Sequence, residues 1–168
     1  MDNAQRRKVS KFEEVLGSLL GRVFHVTRLS YIDDIVASGA LIPNRTDVKS
    51  PFGNSSNGYF RLKGCVSFFD YRQHESVEWK KHYYKCLPTM AISPSDPAVV
   101  MFLSDKYYPN LKSWQGWKDE ERWSQQVVPH VEAGLSGMIN LDMITELHIW
   151  EDAHPEISLQ LMPSYNKP

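Results

Sequence analysis

Residues 24–41 read FHVTRLSYIDDIVASGAL, and the period of the pattern changes halfway through. With Val23 in front, VFHVT is β-branched and aromatic, as a short strand requires. From Leu29 the apolar residues Leu29, Ile32, Ile35 and Val36 recur at helical spacing. Ser30 is placed to cap that helix, Asp33 and Asp34 sit at its positive end, and Gly39 is a natural left-handed stop. The stretch therefore predicts a strand feeding a helix. On the strand His25 and Thr27 are two apart and share one face, while Val26 points to the other, into a core. A polar pair on an otherwise apolar strand needs partners if it is buried. It is either a structural histidine with a satisfied hydrogen bond or one wall of a ligand site.

Working outward, residues 5–20 place Val9, Phe12, Val15, Leu16, Leu19 and Leu20 at helical spacing, which predicts an N-terminal helix within 1–21 that stops at Gly21. Residues 43–63 are polar and glycine-rich, with SPFGNSSNGYF at their centre, and predict a long loop of the kind that covers a site. GCVSFFD (64–70) predicts a strand, 72–85 a helix and PAVVMFL (97–103) a buried strand. The aromatic run 107–117 is irregular and leads into a short polar helix at 118–125. Strands are predicted at 126–132, 136–139, 146–150 and 157–162, with a one-turn link at 140–144. Helix-flanked strands followed by a strand-rich half predict a single α+β domain over residues 1–168, its sheet largely antiparallel.

Composition narrows the function classes. The chain has 168 residues, 42% of them apolar and 23% charged, which is ordinary for a globular domain with a real core. A formal net charge of −1 gives no general attraction for polyanions, and QRRKVSK (5–11) is the one basic run. Two cysteines, Cys65 and Cys86, cannot build a disulfide framework, and both read as small buried hydrophobes. No apolar stretch approaches the ~20 residues that span a bilayer. The basic N-terminus lacks the apolar segment of a secretory signal, so the expected location is cytoplasmic, without membrane partners.

Three further positions could carry chemistry. Ser67 interrupts the apolar strand CVSFFD, and Phe68 and Phe69 after it are sent to opposite faces, one to the core and one toward a ligand. Glu132 ends SQQVVPHVE; as the end of a strand it would share a face with His130 and Val128 and open onto a cleft. Glu120 and Glu121 compete for an acidic role, but acids at helix ends are commonplace. The six histidines are scattered along the chain and show no tight metal-ligand pattern, so no metal is expected.

The order His-x-Thr, then Val-Ser-Phe-Phe, then a late Glu resembles the ADP-ribosyltransferase superfamily in its His–aromatic–Glu branch, and most of all the DarT-type bacterial toxins. The likeness runs over residues 24–41, fades through the middle and returns at VEAGLSGMINLDMITELHIW (131–150). Two departures stand out. His130 occupies the position two before the glutamate where arginine-modifying members carry Gln or Glu, and Ser67-Phe68-Phe69 stands where many members have a tyrosine.

The resemblance implies a split antiparallel sheet with flanking helices and the use of NAD as co-substrate. The bond between nicotinamide and ribose breaks and ADP-ribose passes to a nucleophile, through a transition state with positive charge at the anomeric carbon, as in glycoside hydrolysis. By resemblance Glu132 is the catalytic carboxylate, His25 bonds a ribose hydroxyl, the backbone of Val26 holds the carboxamide and Thr27 braces the pocket. Ser67 contacts the ribose, Phe68 or Phe69 stacks on nicotinamide, Arg45 or Arg61 meets the pyrophosphate, and His130 stands where the acceptor is selected. The acceptor would be a nucleic acid or a protein. An intracellular enzyme of this kind would be a toxin or phage-defence effector, held by a neutralising antitoxin that covers the cleft between the 44–60 loop and the aromatic segment 107–117. The alternative on the same fold is an inactive module that binds a nucleotide or a partner.

Overall fold

The computed structural model describes residues 4–44, 46, 48, 50–52 and 56–156. In chain order the strands and helices are β1 (Gln5–Val9), α1 (Glu13–Leu19), β2 (Val23–Arg28), α2 (Ile32–Ser38), β3 (Ala40–Leu41), α3 (Tyr59–Leu62) and β4 (Cys65–Asp70). There follow α4 (Val77–Lys80), β5 (Ala98–Leu103), β6 (Lys112–Ser113), α5 (Gln115–Asp119), β7 (Glu132–Ser136), β8 (Ile139–Asn140) and β9 (Ile144–Asp152). Seven strands form one mixed sheet in the order β1-β9-β5-β2-β4-β7-β6, and β3 pairs with β8 apart from it. Every pair in the large sheet is antiparallel except β1 with β9, which is parallel.

Both faces of the sheet are covered. Phe24, Val26, Val100, Phe102, Phe69 and Trp150 belong to one buried cluster, which α1 joins through Val15 and Leu19. Val23, Val66, Phe68, Val99, Met101 and Ile149 belong to the other. The alternation along each strand divides the clusters, since successive side chains leave opposite faces. β5, buried along its whole length, is the spine of both.

The opening stretch folds as its pattern predicts. β2 runs Val23–Arg28, a single 3-10 turn (Leu29–Tyr31) leads into α2, and Gly39 closes it at φ 69°. Ser30 does not cap: its Oγ and N–H both donate to the Asp96 carboxylate, at 2.7 and 3.0 Å. A carboxylate across the chain outcompetes the local cap, as charged acceptors do.

Several expectations fail. The short polar helix placed at 118–125 is instead α5, Gln115–Asp119, and the chain turns after it. Residues 5–9 are a strand, not part of a helix; among the described residues of the predicted 1–21 helix only α1 is helical. The apolar spacing that suggested one helix places Val9, Phe12, Val15 and Leu19 in the same core by a strand and a helix in series. The helix predicted over 72–85 reduces to α4 and one 3-10 turn, Tyr83–Cys86. The strand predicted over 126–132 is absent. Pro129 cannot donate to a ladder, and the chain turns, with the N–H groups of Val131 and Glu132 both donating to the Val128 carbonyl. β7 starts where that strand was to end. The strand placed at 136–139 falls instead on the break between β7, which ends at Ser136, and β8, which starts at Ile139; the one at 146–150 becomes the longer β9, the one-turn link is Leu141–Met143, and the strand at 157–162 lies outside the described residues.

Candidate functional site

β2 and β4 pair at only two positions, Val23↔Asp70 and Phe24↔Phe69. An aromatic cluster locks that end: the Phe24 ring lies 5.5 Å from Phe69, 4.9 Å from Tyr71 and 5.7 Å from Phe102. One residue further on, the ladder gives way to a side chain, and His25 Nδ1 lies 2.8 Å from the Ser67 carbonyl oxygen. The imidazole stands where a backbone rung would be and bridges the two strands where their ladder has ended.

The gap opens into a cavity of about 740 Å³, well within the range of small-molecule and cofactor sites. His25 and Thr27 face the cluster that contains their register partners Met101 and Val99. Glu132 lies opposite Phe69 across the β4–β7 ladder, and Phe69 belongs to the other cluster. Residues from opposite faces of a continuous sheet do not share a pocket. Here they do, because the cavity occupies the gap between the strands.

A carbonyl only accepts, so His25 Nδ1 carries the proton and Nε2 is an acceptor. Burial holds this imidazole below its ordinary pKa, in the neutral form. Glu132 is fixed by the turn before it: the Val128 N–H donates to its Oε2, and its own N–H returns to the Val128 carbonyl. Desolvation pushes the carboxyl up to about 7, against the opposing pull of the Val128 N–H. A half-buried carboxyl perturbed in this way in a cleft is a common mark of a working group. Cys86 lines the same cavity, and burial together with the Glu132 charge pushes its thiol far up, which makes it unreactive.

The structure brings most of the residues singled out by sequence to this cavity. His25, Val26, Thr27, Arg61, Ser67, Phe68, Phe69 and Glu132 all line it. Phe68 and Phe69 are both core residues: Phe68 meets the His25 ring edge-on at 5.9 Å, and Phe52 from the loop packs edge-on against Phe69 at 5.2 Å. Arg61 commits Nε to the Asn44 carbonyl and Nη2 to the Thr46 carbonyl, so it fastens the loop to α3. Arg45 lies outside the described residues. His130 does not line the cavity. It adopts a left-handed backbone, φ 65°, in the turn before β7, and its ring lies against His82 and Trp114. Its predicted shared face with Glu132 required the strand that the turn replaces.

Sequence reasoning missed Val128, whose backbone orients the carboxyl, and the wall formed by α3. Phe60 of α3 is seated on Gly134, directly against the point where a Cβ would stand. A glycine inside a strand was the available signal, since it marks close approach of another group. Asn44, also on the wall, donates Nδ2 to the Val48 carbonyl, while its buried Oδ1 has no partner among the described residues. The rings of the 107–117 run mostly pack inward: Tyr107 and Tyr108 on one core cluster, Trp114 and Trp117 beside Tyr59 and Phe60. Trp123, just beyond the run, is the exposed one, at 58%.

Among the described residues no helix is long and apolar enough to cross a membrane. Comparison of the chain with protein-family models, with curated proteins and with solved structures finds no match. The functional reading therefore rests on the cavity itself.

Proposed function

We propose that the chain is an NAD-dependent ADP-ribosyltransferase whose reaction centre is the cavity between β2 and β4. The observation that carries the reading is the meeting of His25 and Glu132 in one cavity across two strands joined at one end only. On this reading the divergence of β2 from β4 is the split sheet of the ADP-ribosyltransferase superfamily.

The residues present suit the dinucleotide. His25 Nε2 can accept from a ribose hydroxyl, and the buried Asn44 Oδ1 supplies a second acceptor on the wall. The apolar side chains around them exclude water, which strengthens each polar contact. In the reaction the bond between the anomeric carbon and the nicotinamide nitrogen breaks, and its electron pair leaves with nicotinamide. The acceptor's nucleophilic atom then bonds to that carbon and releases its proton to water. Glu132, held in place by Val128, lies ready to stabilise the positive charge that develops before the new bond forms. A preset carboxylate costs no reorganisation at that moment, and its contribution grows as charge develops.

Calorimetry with NAD, followed by incubation with labelled NAD and bacterial lysate, tests the proposal. Binding is expected, with label appearing in nucleic acid or in protein and no transfer by Glu132→Gln. Binding without transfer by the wild type would leave a nucleotide-binding module. Absence of binding would overturn the assignment.

A further inference from the structure

Beside the cavity, Glu78, His82 and His130 each offer a ligand atom within 4.8 Å of the other two. They come from segments far apart in sequence. Ser76 caps α4 by accepting the Trp79 N–H at 3.1 Å, and Trp79 is buried against Tyr71 and Tyr83. That anchor fixes the orientation of the turn and brings Glu78 and His82, four residues apart, to one side. His130 arrives from the turn before β7. Its left-handed backbone is uncommon for a residue other than glycine. Its ring is fixed by near-parallel stacking on His82, with centroids 5.5 Å apart at 17°, and by Trp114 at 4.3 Å.

We propose that Glu78, His82 and His130 form a binding site for a divalent transition-metal ion of the zinc type. Two imidazoles and one carboxylate are a donor set that zinc accepts, with a fourth position left for water. Harder ions such as magnesium and calcium prefer oxygen and would leave the two imidazoles unused. The site is held by ammonium groups in the metal-free chain: Lys81 Nζ lies 2.9 Å from Glu78 Oε1, and Lys85 Nζ donates to His82 Nδ1 at 3.0 Å. An ion must displace them, so these lysines set the affinity. The consequence is mechanical. His82 lies three residues before Lys85 and four before Cys86 on the cavity wall, and His130 lies two before Glu132. An ion bridging the two histidines ties both wall segments together. The inference does not depend on the transferase reading.

Metal-free protein, prepared with a chelator that is then removed, is titrated with cobalt(II) while its visible d–d absorption is followed; zinc then competes the signal away. One equivalent is expected to bind. Glu78→Gln, at an exposed position, and His130→Asn, whose side chain tolerates the left-handed backbone, should each weaken binding by more than about tenfold. Lys85→Met should tighten it. His154→Ala, outside the cluster, serves as the control and should change nothing. Unchanged urea midpoints of the metal-free variants confirm that each one folds. Absence of a saturable cobalt spectrum, or a titration unaltered by both ligand variants, would overturn the site.

Discussion

Replacing Glu132 by Gln should stabilise the protein at neutral and alkaline pH while abolishing transfer. The carboxyl is pushed from an ordinary 4.5 up to about 7 by desolvation. Below pH 4.5 it is protonated in folded and unfolded chains alike, and it contributes no pH dependence. Between 4.5 and 7 the unfolded chain loses the proton and the folded chain keeps it, so stability falls as pH rises. Above 7 both forms are ionised and the loss is complete. At about 1.4 kcal/mol per pH unit the full cost is roughly 3 kcal/mol. Water entering the cavity offsets part of it, and the Gln carbonyl keeps the Val128 N–H bond. The expected gain for Glu132→Gln at pH 8 is therefore about 1–3 kcal/mol, shrinking to nothing at pH 4.5. With a urea m-value of about 2 kcal/mol per molar, the midpoint should rise by about 0.5–1.5 M. Urea titrations of both proteins at pH 4.5, 6 and 8, with a chelator present to fix the metal state, read this directly. A variant less stable than wild type at pH 8, or a difference that does not change with pH, would refute the desolvated-carboxyl argument. Stability sacrificed to keep a charge in a dry cleft is the expected trade-off at a functional site.

His25→Gln should weaken NAD binding, because the Gln amide can still donate to the Ser67 carbonyl but offers no imidazole Nε2; calorimetry checks it. The same variant should resist acid better. Burial holds the folded imidazole below 6.5, so as pH falls through that value only the unfolded chain of the wild type gains the proton, and stability declines. Equal acid midpoints for the two proteins would count against a neutral His25. Gly134→Ala should cost about 1–3 kcal/mol, since the new methyl meets the Phe60 ring and α3 must shift. It should also disturb near-UV dichroism from Tyr59 and Phe60, and a neutral urea midpoint would show that the wall yields freely.

Local pattern was enough for the elements whose reasons are local. β-branched and aromatic runs gave β2, β4 and β5, and the left-handed Gly39 set the end of α2. The pairing of His25 with Thr27 on one face followed from a period of two alone. Everything that depends on a distant partner was out of reach. QRRKV became a strand because β9, some 140 residues away, offered an open edge. Ser30 left its helix for Asp96. Glu132 could be picked out as a candidate, but its place at the start of β7 was set by the Val128–Val131 turn. Its meeting with His25 arises only because the β2–β4 ladder ends one residue beyond the aromatic packing that holds the two strands together. Six histidines scattered in sequence likewise conceal the approach of His82 to His130. The sequence alone determined which segments could be strands or helices, because those preferences are set by near neighbours. Only the tertiary structure decided which side chains meet, because that depends on contacts closed across the whole length of the chain.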